Sequence, residues 1–327
     1  MRRVLVPLSA SALLPAAGGR VQQLAGASMG SSWSAQLVAD QVHGLAGRIQ
    51  AQLDQVVKQM SHWEASSQLS RFNGAPAGSW HALPPEFAAV LDYALQLAGQ
   101  TGGAYDPAAG ALVNCWGFGA RQRYDEPGFE PPSQGAIDTL LAHRQALRRD
   151  ASGRVLQPGG VQLDLSSIAK GFAVDQMARC LERAGHHHYL VEAGGELRGA
   201  GVKPDGTPWW VALEAPPGIT DDTVLALHGL AVATSGDYRR NFEHGGQRLS
   251  HTLDPRSGRP IANQVASVSV LHPQCMAADA LSTALSVLGP EAGLAYAEQH
   301  ELAARFLVRR GAQVEEVCSS AFLAMLQ

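Results

Sequence analysis

Apolar and polar residues alternate with a period of two from Ser32 to Ala39 (SWSAQLVA), the signature of a half-buried strand. The period then changes. Val42, Leu45, Ile49, Leu53, Val56, Val57 and Met60 trace one face of a helix. A second amphipathic helix is predicted from Leu83 to Ala98, begun by Pro84-Pro85. Val161 to Leu165 reads as a buried strand, with Ser166 or Ser167 able to cap a following helix that Gly185 ends about five turns later. In MAADALSTALSVLG, the oxygen-bearing residues Asp279, Ser282, Thr283 and Ser286 fall at i, i+3, i+4 and i+7. They form one stripe on a helix otherwise made of Ala, Leu and Val, which suits a helix packed on most sides with the stripe facing a cleft. A carboxylate and a hydroxyl four residues apart there could hold a hard cation such as Mg²⁺.

Strands and helices thus alternate without internal repeats. The loop Gly117 to Ser133, rich in Gly, Pro and charge, is the one weak candidate for a domain seam. Of the 327 residues 46% are hydrophobic and 17% charged, which indicates an ordered globule rather than a disordered chain. Thirty-five glycines and eighteen prolines imply more turns than a helical bundle uses. A net charge of −4 without blocks of like charge gives no footprint for nucleic acid.

Metal sites built from Cys or His find little support. Cys115, Cys180, Cys275 and Cys318 are far apart, make no CxxC pair, and read as small buried hydrophobes. His186, His187 and His188 are adjacent and cannot all face one ion. At the N-terminus, Arg2 and Arg3, an apolar stretch from Val4 to Leu14 and small residues at Ala16, Ala17 and Gly18 read as an export leader, compatible with a twin-arginine signal. The stretch is too short and too broken by Pro7 and Pro15 to span a membrane. The leader is assigned to residues 1–25 and one globular domain to 26–327, with a periplasmic location expected and a cytoplasmic one as the alternative.

Several polar residues stand where chemistry is expected. Lys170 lies in the first turn of its helix, against the helix dipole, so an anion should compensate it. A phosphate at the helix N-terminus would do so; an ion pair to Asp164 or Asp175 is the alternative. Asp164, at the end of an apolar run, needs a ligand, a metal or a lysine to satisfy it. Gly194-Gly195 allows a close backbone approach. Pro107 restricts Asp106 to an extended conformation that projects its carboxylate. Trp116 and Phe118 read as core or as a planar-ligand platform. His251, three residues before Asp254 in HTLDPRSG, is a titratable group at a strand end that could take a proton from a hydroxyl.

The ordered series MGSSW, QMSHWEASSQLSRFN, GGAYDPAAGALVNCWGFG, LDLSSIAKGFAVD, VEAGGELRGAG, ATSGDYRRNF, SHTLDPRSGRPI and MAADALSTALSVLG resembles the ApbE family of FAD:protein FMN transferases. The resemblance runs from about Gly26 to Gly311. It implies an α+β, T-fold-like architecture with mixed or antiparallel sheets and helices around a cleft for FAD and Mg²⁺. The implied reaction moves FMN from FAD to a Ser or Thr hydroxyl of a target protein and releases AMP. By resemblance, flavin contacts fall on Met29, Trp63, Ala104, Tyr105, Asp106, Asp164, Lys170 and Leu253. Metal contacts fall on Ser167, through its backbone carbonyl, and on Asp279 and Thr283. His251 matches the functional histidine, with Asp254 as the neighbouring carboxylate expected to hold it. The implied acceptor is a respiratory or membrane redox subunit. Departures from the family pattern are Gln68 for an acidic residue, Glu196 where Asp often follows the Gly pair, and SSIAKG for the commoner Gly-Gly-Ile-Ala-Lys-Gly. A metal-dependent FAD diphosphatase and a flavin binder without turnover would use the same residues, although Asp279, Thr283 and His251 together argue against the pure binder.

Overall fold

A computed structural model describes residues 3–8, 14–15, 18–121, 123–143, 146–219, 223–311 and 313–327. The chain divides into two compact units. The first comprises 1–55, 170–236 and 264–327, and the second 56–169 and 237–263. The seam expected at Gly117–Ser133 lies wholly inside the second unit. The chain instead changes unit inside a helix (Leu45–Met60), at the start of another (Ala169–Arg183), and at two strand ends, where no composition shift marks it.

The first unit is built on eight strands: β1 Arg20–Ser28, β2 Ser31–Ala39, β3 Tyr189–Ala193, β4 Glu196–Ala200, β5 Leu230–Gly236, β6 Val265–His272, β7 Ala303–Arg310 and β8 Gln313–Cys318. Their order across the sheet follows their order in the chain, and every neighbouring pair is antiparallel. The alternation seen in β2 is realised in packing, with Trp33, Ala35 and Leu37 all buried. Seven of the eight residues of β6 are buried, which fits a strand covered by the Cys275–Gln299 helix packing on β5 and β6. That helix breaks at Gly289, where φ is 82° ahead of Pro290.

The domain boundary expected at residues 25 and 26 falls within β1, whose Arg20 to Ala25 already pair with Ala39 to Ser34 of β2. The polar, half-exposed face of β1 hid this, because RVQQLAGAS carries few apolar residues to set a period. Further upstream, Val4–Leu5 pairs in parallel with Val224 and Leu225, and Leu5 is fully buried in a cluster with Leu225, Leu227, Phe322 and Met325. Arg2, Ala16 and Ala17 of the leader pattern lie outside the described residues. No helix among the described residues is long and apolar enough to cross a membrane.

The second unit is helical and looped. Leu112, Trp116, Phe118, Ile137 and Leu253 form its core beneath Tyr124 and Phe242, and the Trp116 indole donates to the Gly258 carbonyl at 2.7 Å. Trp116 and Phe118 are therefore core aromatics. Val161–Leu165, expected as a strand, makes only a single bridge, Gln162 to Ala109. A side chain takes the place of a neighbouring strand: Asn73 Nδ2 donates to the Leu163 carbonyl at 2.8 Å, and Asn73 Oδ1 accepts from the Leu163 N–H at 2.7 Å. The run is thus extended and buried without belonging to a sheet, and apolar content alone cannot distinguish the two.

Candidate functional site

In the first unit, the helix from Ala169 to Arg183 starts where expected and ends at Gly185, with φ 86°. Its Gly171 meets the Cys275–Gln299 helix so closely that an added Cβ would lie 2.3 Å from the Cys275 carbonyl oxygen and 2.7 Å from the Asp279 Cβ. Absence of a side chain here lets the Gly171 N–H donate to Asp279 Oδ2 at 2.9 Å. Asp279 is only 4% exposed, so its charge demands compensation from close partners. A Gly171→Ala variant gains about 1 kcal/mol of helix propensity, yet it must push two helices apart. We expect net destabilisation of about 1–3 kcal/mol, measured as a fall in Tm. An unchanged Tm would show that this approach is not needed.

The oxygen stripe divides as its burial dictates. Ser282 Oγ donates to the Asp279 carbonyl and Ser286 Oγ to the Ser282 carbonyl, each at 2.8 Å, so both bond back to their own helix. Thr283 is half-buried. Ser235, at the end of β5, places its Oγ 3.0 Å from Thr283 Oγ1 and 2.8 Å from Ser282 Oγ. Asp279, Thr283 and Ser235 therefore supply hard oxygen donors, the kind that suits Mg²⁺. Among the described residues no three His, Cys, Asp or Glu side chains group to hold an ion. An ion here would have to draw further ligands from elsewhere, as Mg²⁺ in nucleotide sites does from phosphate oxygens.

Lys170 forms a close ion pair with Glu196, at the start of β4, rather than with Asp164 or Asp175. Glu196 is 2% exposed, and the tight Gly194–Gly195 turn between β3 and β4 presents it. Asp175 has another task. It pairs with Arg198 at 2.6 Å and accepts the Cys275 and Met276 N–H groups that open the long helix. Cys275 and Cys180 are buried, and burial pushes the Cys275 thiol well up; Cys115 and Cys318 are only partly buried. Within the His triplet, His188 Nδ1 accepts the Val202 N–H at 3.1 Å.

Met29 sits at the turn between β1 and β2 with φ 52°, followed by Gly30 at 73°. A two-residue turn with both angles positive suits the sheet's twist, but asks methionine to adopt a conformation usually left to Gly, Asn or Asp. Such local strain is characteristic of functional positions.

In the second unit, Tyr105 is buried and its hydroxyl accepts from Ser167 Oγ at 3.0 Å. Ser167 therefore does not cap the following helix with its side chain. Ala104 is buried beside it. The Asp106 carboxylate turns back to accept the Ala108 N–H at 2.8 Å, so this oxygen braces its own turn. Asp164 is 8% exposed; its Oδ1 accepts the Ser166 N–H at 2.8 Å and lies 3.5 Å from His62 Nδ1. Trp63 is 48% exposed, with the Arg123 and Arg240 guanidinium groups 6.0 and 5.9 Å from its ring centre, a platform on which a planar ligand could stack.

His251 follows the Gln247–Ser250 strand and packs edge-on to Phe118. Its Nδ1 lies 2.9 Å from the Arg240 carbonyl oxygen. A carbonyl can only accept, so Nδ1 carries the proton and Nε2 is the basic nitrogen. The expectation that Asp254 holds this ring is corrected: both Asp254 oxygens bind the Arg256 guanidinium at 2.9 Å, and Oδ1 also accepts the Arg256 N–H. That bond holds Arg256 firmly protonated. Asp254 is two residues from Arg256 in a tight turn, which favours the local pairing. The Leu253 side chain lies in the core with Leu112 and Trp116. Ser235, His62 and the Arg240 carbonyl were missed in the sequence; all three stood inside quoted motifs, but a backbone acceptor leaves no residue-type signal.

A buried carboxylate with hydroxyls beside it, a helix-end lysine, and a histidine with a fixed tautomer are the furniture of phosphoryl-transfer chemistry. The model of the ApbE family matches residues 29–306, and the chain belongs to that family. FAD:protein FMN transferase of Vibrio cholerae is 36% identical over 100% of this chain and 99% of its own length. The enzyme of that name from Escherichia coli K12 is 33% identical, over 94% and 89%. Among solved structures, the apo form of Pseudomonas stutzeri flavinyl transferase ApbE superposes with a TM-score of 0.86 at 39% identity, covering 94% of this chain and 97% of the other. The α+β class expected from the sequence is the class observed, its main sheet wholly antiparallel.

Proposed function

We propose that this protein transfers FMN from FAD to a Ser or Thr hydroxyl of an acceptor protein, releasing AMP. The observation that carries the reading within the structure is the His251 tautomer, fixed by the Arg240 carbonyl with Nε2 as the base. Full-length similarity to enzymes named for this activity supports it. The acceptor hydroxyl attacks the flavin-bearing phosphorus, the bond to the bridging diphosphate oxygen breaks, and AMP leaves with that oxygen. His251 Nε2 takes the hydroxyl proton, and Lys170 offsets negative charge on the phosphates. Asp279 and Thr283 would hold Mg²⁺, whose chemistry when bound is to neutralise charge developing on the phosphoryl oxygens; the family resemblance adds the Ser167 carbonyl. Exposed Trp63 offers aromatic surface to the flavin, and the family resemblance adds Tyr105, Met29 and Leu253 as flavin contacts.

The acceptor we infer is a respiratory or membrane redox subunit, on the strength of the family resemblance and the export pattern. Incubation with FAD, Mg²⁺ and such a subunit should yield AMP and flavin fluorescence that stays with the denatured acceptor. AMP and free FMN without an acceptor would mark a diphosphatase, and bound FAD without AMP a binder. We also propose export to the periplasm, supported by Arg2-Arg3, the apolar stretch and the small residues at 16–18. Cleavage after Ala17 removes the Val4–Leu5 strand and spares all eight strands of the main sheet. N-terminal sequencing of the periplasmic protein should begin near Gly18; an intact Met1 in a cytoplasmic fraction would contradict export.

A further inference from the structure

Ser235, Ser282 and Thr283 lie within the first unit where two elements meet: β5 carries the first, and the long helix that packs on it carries the other two. Strand alternation separates Ser235 from its neighbour Thr234, whose Oγ1 pairs across to Ser269 Oγ in β6 at 2.8 Å. Ser235 is left facing the helix. Its Oγ stands 2.8 Å from Ser282 Oγ and 3.0 Å from Thr283 Oγ1, and Ser282 Oγ stands 2.8 Å from the Asp279 carbonyl oxygen. At such distances two oxygens need a proton between them, and each hydroxyl has one to give. Three contacts therefore share three protons.

The carbonyl end of this chain sets their direction. A carbonyl only accepts, so the Ser282 proton is spent on Asp279. Ser282 must then accept from Ser235, and Ser235, its own proton used, must accept from Thr283. Ser282 is fully buried, so water offers it no other arrangement. The Thr283 proton is thus drawn to Ser235, and its lone pairs turn away from the strand. Asp279 lies one turn back on the same helix face.

We propose that Ser235 is a positioning residue for a divalent cation: by taking the Thr283 proton, it presents the Thr283 oxygen, lone pairs outward, as a ligand beside the Asp279 carboxylate. Left to rotate, a threonine hydroxyl can aim its proton at the ion, which repels it. Partners of this kind behind a metal ligand are worth about 10- to 100-fold in affinity. The inference rests on the Mg²⁺ and FAD reading above.

Mn²⁺, which takes the same hard oxygen ligands, serves as the probe. Its binding to the full chain, with FAD present and no acceptor protein, is followed by EPR for the wild type, S235A, S235T, T283A and S235A/T283A. Displacement by Mg²⁺ and the Tm of each metal-free protein are measured alongside. S235A should weaken both cations about 10- to 100-fold. Its Tm should change little, because Ser282 loses only a donor and half-buried Thr283 can turn to water. S235T, which keeps the hydroxyl, should recover most of the affinity. The double variant should bind no more weakly than T283A, since Ser235 acts through Thr283. Losses that multiply in the double variant would make Ser235 itself a ligand; that result, an indifferent S235A, or an S235T no better than S235A would overturn the assignment. A wild type that takes up no Mn²⁺ beside FAD overturns the metal reading and this role together, whereas normal wild-type binding with an indifferent S235A overturns only the role of Ser235.

Discussion

Replacing His251 by Asn should slow covalent flavin attachment about 10²- to 10⁴-fold while leaving FAD affinity within a few-fold, the loss expected when a general base is removed from an otherwise intact site. The structure makes Asn the right substitute. The ring is held at Nδ1 by the Arg240 carbonyl, and an Asn amide can still donate to that oxygen, so the Arg240 strand end keeps its partner. The basic Nε2 is lost with no replacement. His251 packs edge-on to Phe118 but is only half-buried, so the cavity cost is modest. The readout is the initial rate of flavin fluorescence on the denatured acceptor at saturating FAD. A near-normal rate would demote His251 to a structural strand end and leave proton removal to solvent. Replacing Asp254 should have a smaller effect on rate, because its carboxylate serves Arg256 rather than the imidazole.

The second large effect is expected at Asp279. In Asp279→Asn the side-chain oxygen can still accept the Gly171 N–H, now 2.9 Å from Oδ2, so the contact between the two helices survives and Tm should change little. What disappears is the one negative charge in the Asp279, Thr283 and Ser235 set. On the proposed assignment a hard divalent cation would lose its best ligand, and several kcal/mol of charge stabilisation correspond to a fall in turnover of about 10²-fold or more. Titration of AMP release against Mg²⁺ measures it. The variant should need far more Mg²⁺ or fail to saturate; an unchanged titration would remove Asp279 from the metal site.

Both effects centre on residues that the sequence pattern itself singles out, and the reason is physical. The helix stripe at 279, 282, 283 and 286 keeps its periodicity in sequence, and the structure shows Ser282 and Ser286 turned onto their own backbone. The strand at Ser31–Ala39 and the helices at Leu45–Met60 and Pro85–Gln100 likewise carry clear periods. Legibility ends where a contact replaces a pattern. Val161–Leu165 has the composition of a strand, but its backbone is satisfied by the Asn73 and Gln157 side chains and by Pro107 and Gly110 of a neighbouring loop and helix start. Lys170 needs an anion on dipole grounds, yet its partner, Glu196, comes from across a Gly-Gly turn. The group that orients His251 is a peptide carbonyl, which any residue type could provide. The two units interleave along the chain, so no linker betrays them.

The most direct test of the central claim is mass spectrometry of a candidate membrane redox subunit after incubation with this protein, FAD and Mg²⁺. Transfer predicts a single added mass of one FMN less one water, located on a Ser or Thr, with one AMP released per modified acceptor and the modification slowed about 10²- to 10⁴-fold by the His251→Asn variant. An acceptor of unchanged mass alongside AMP and free FMN would contradict it.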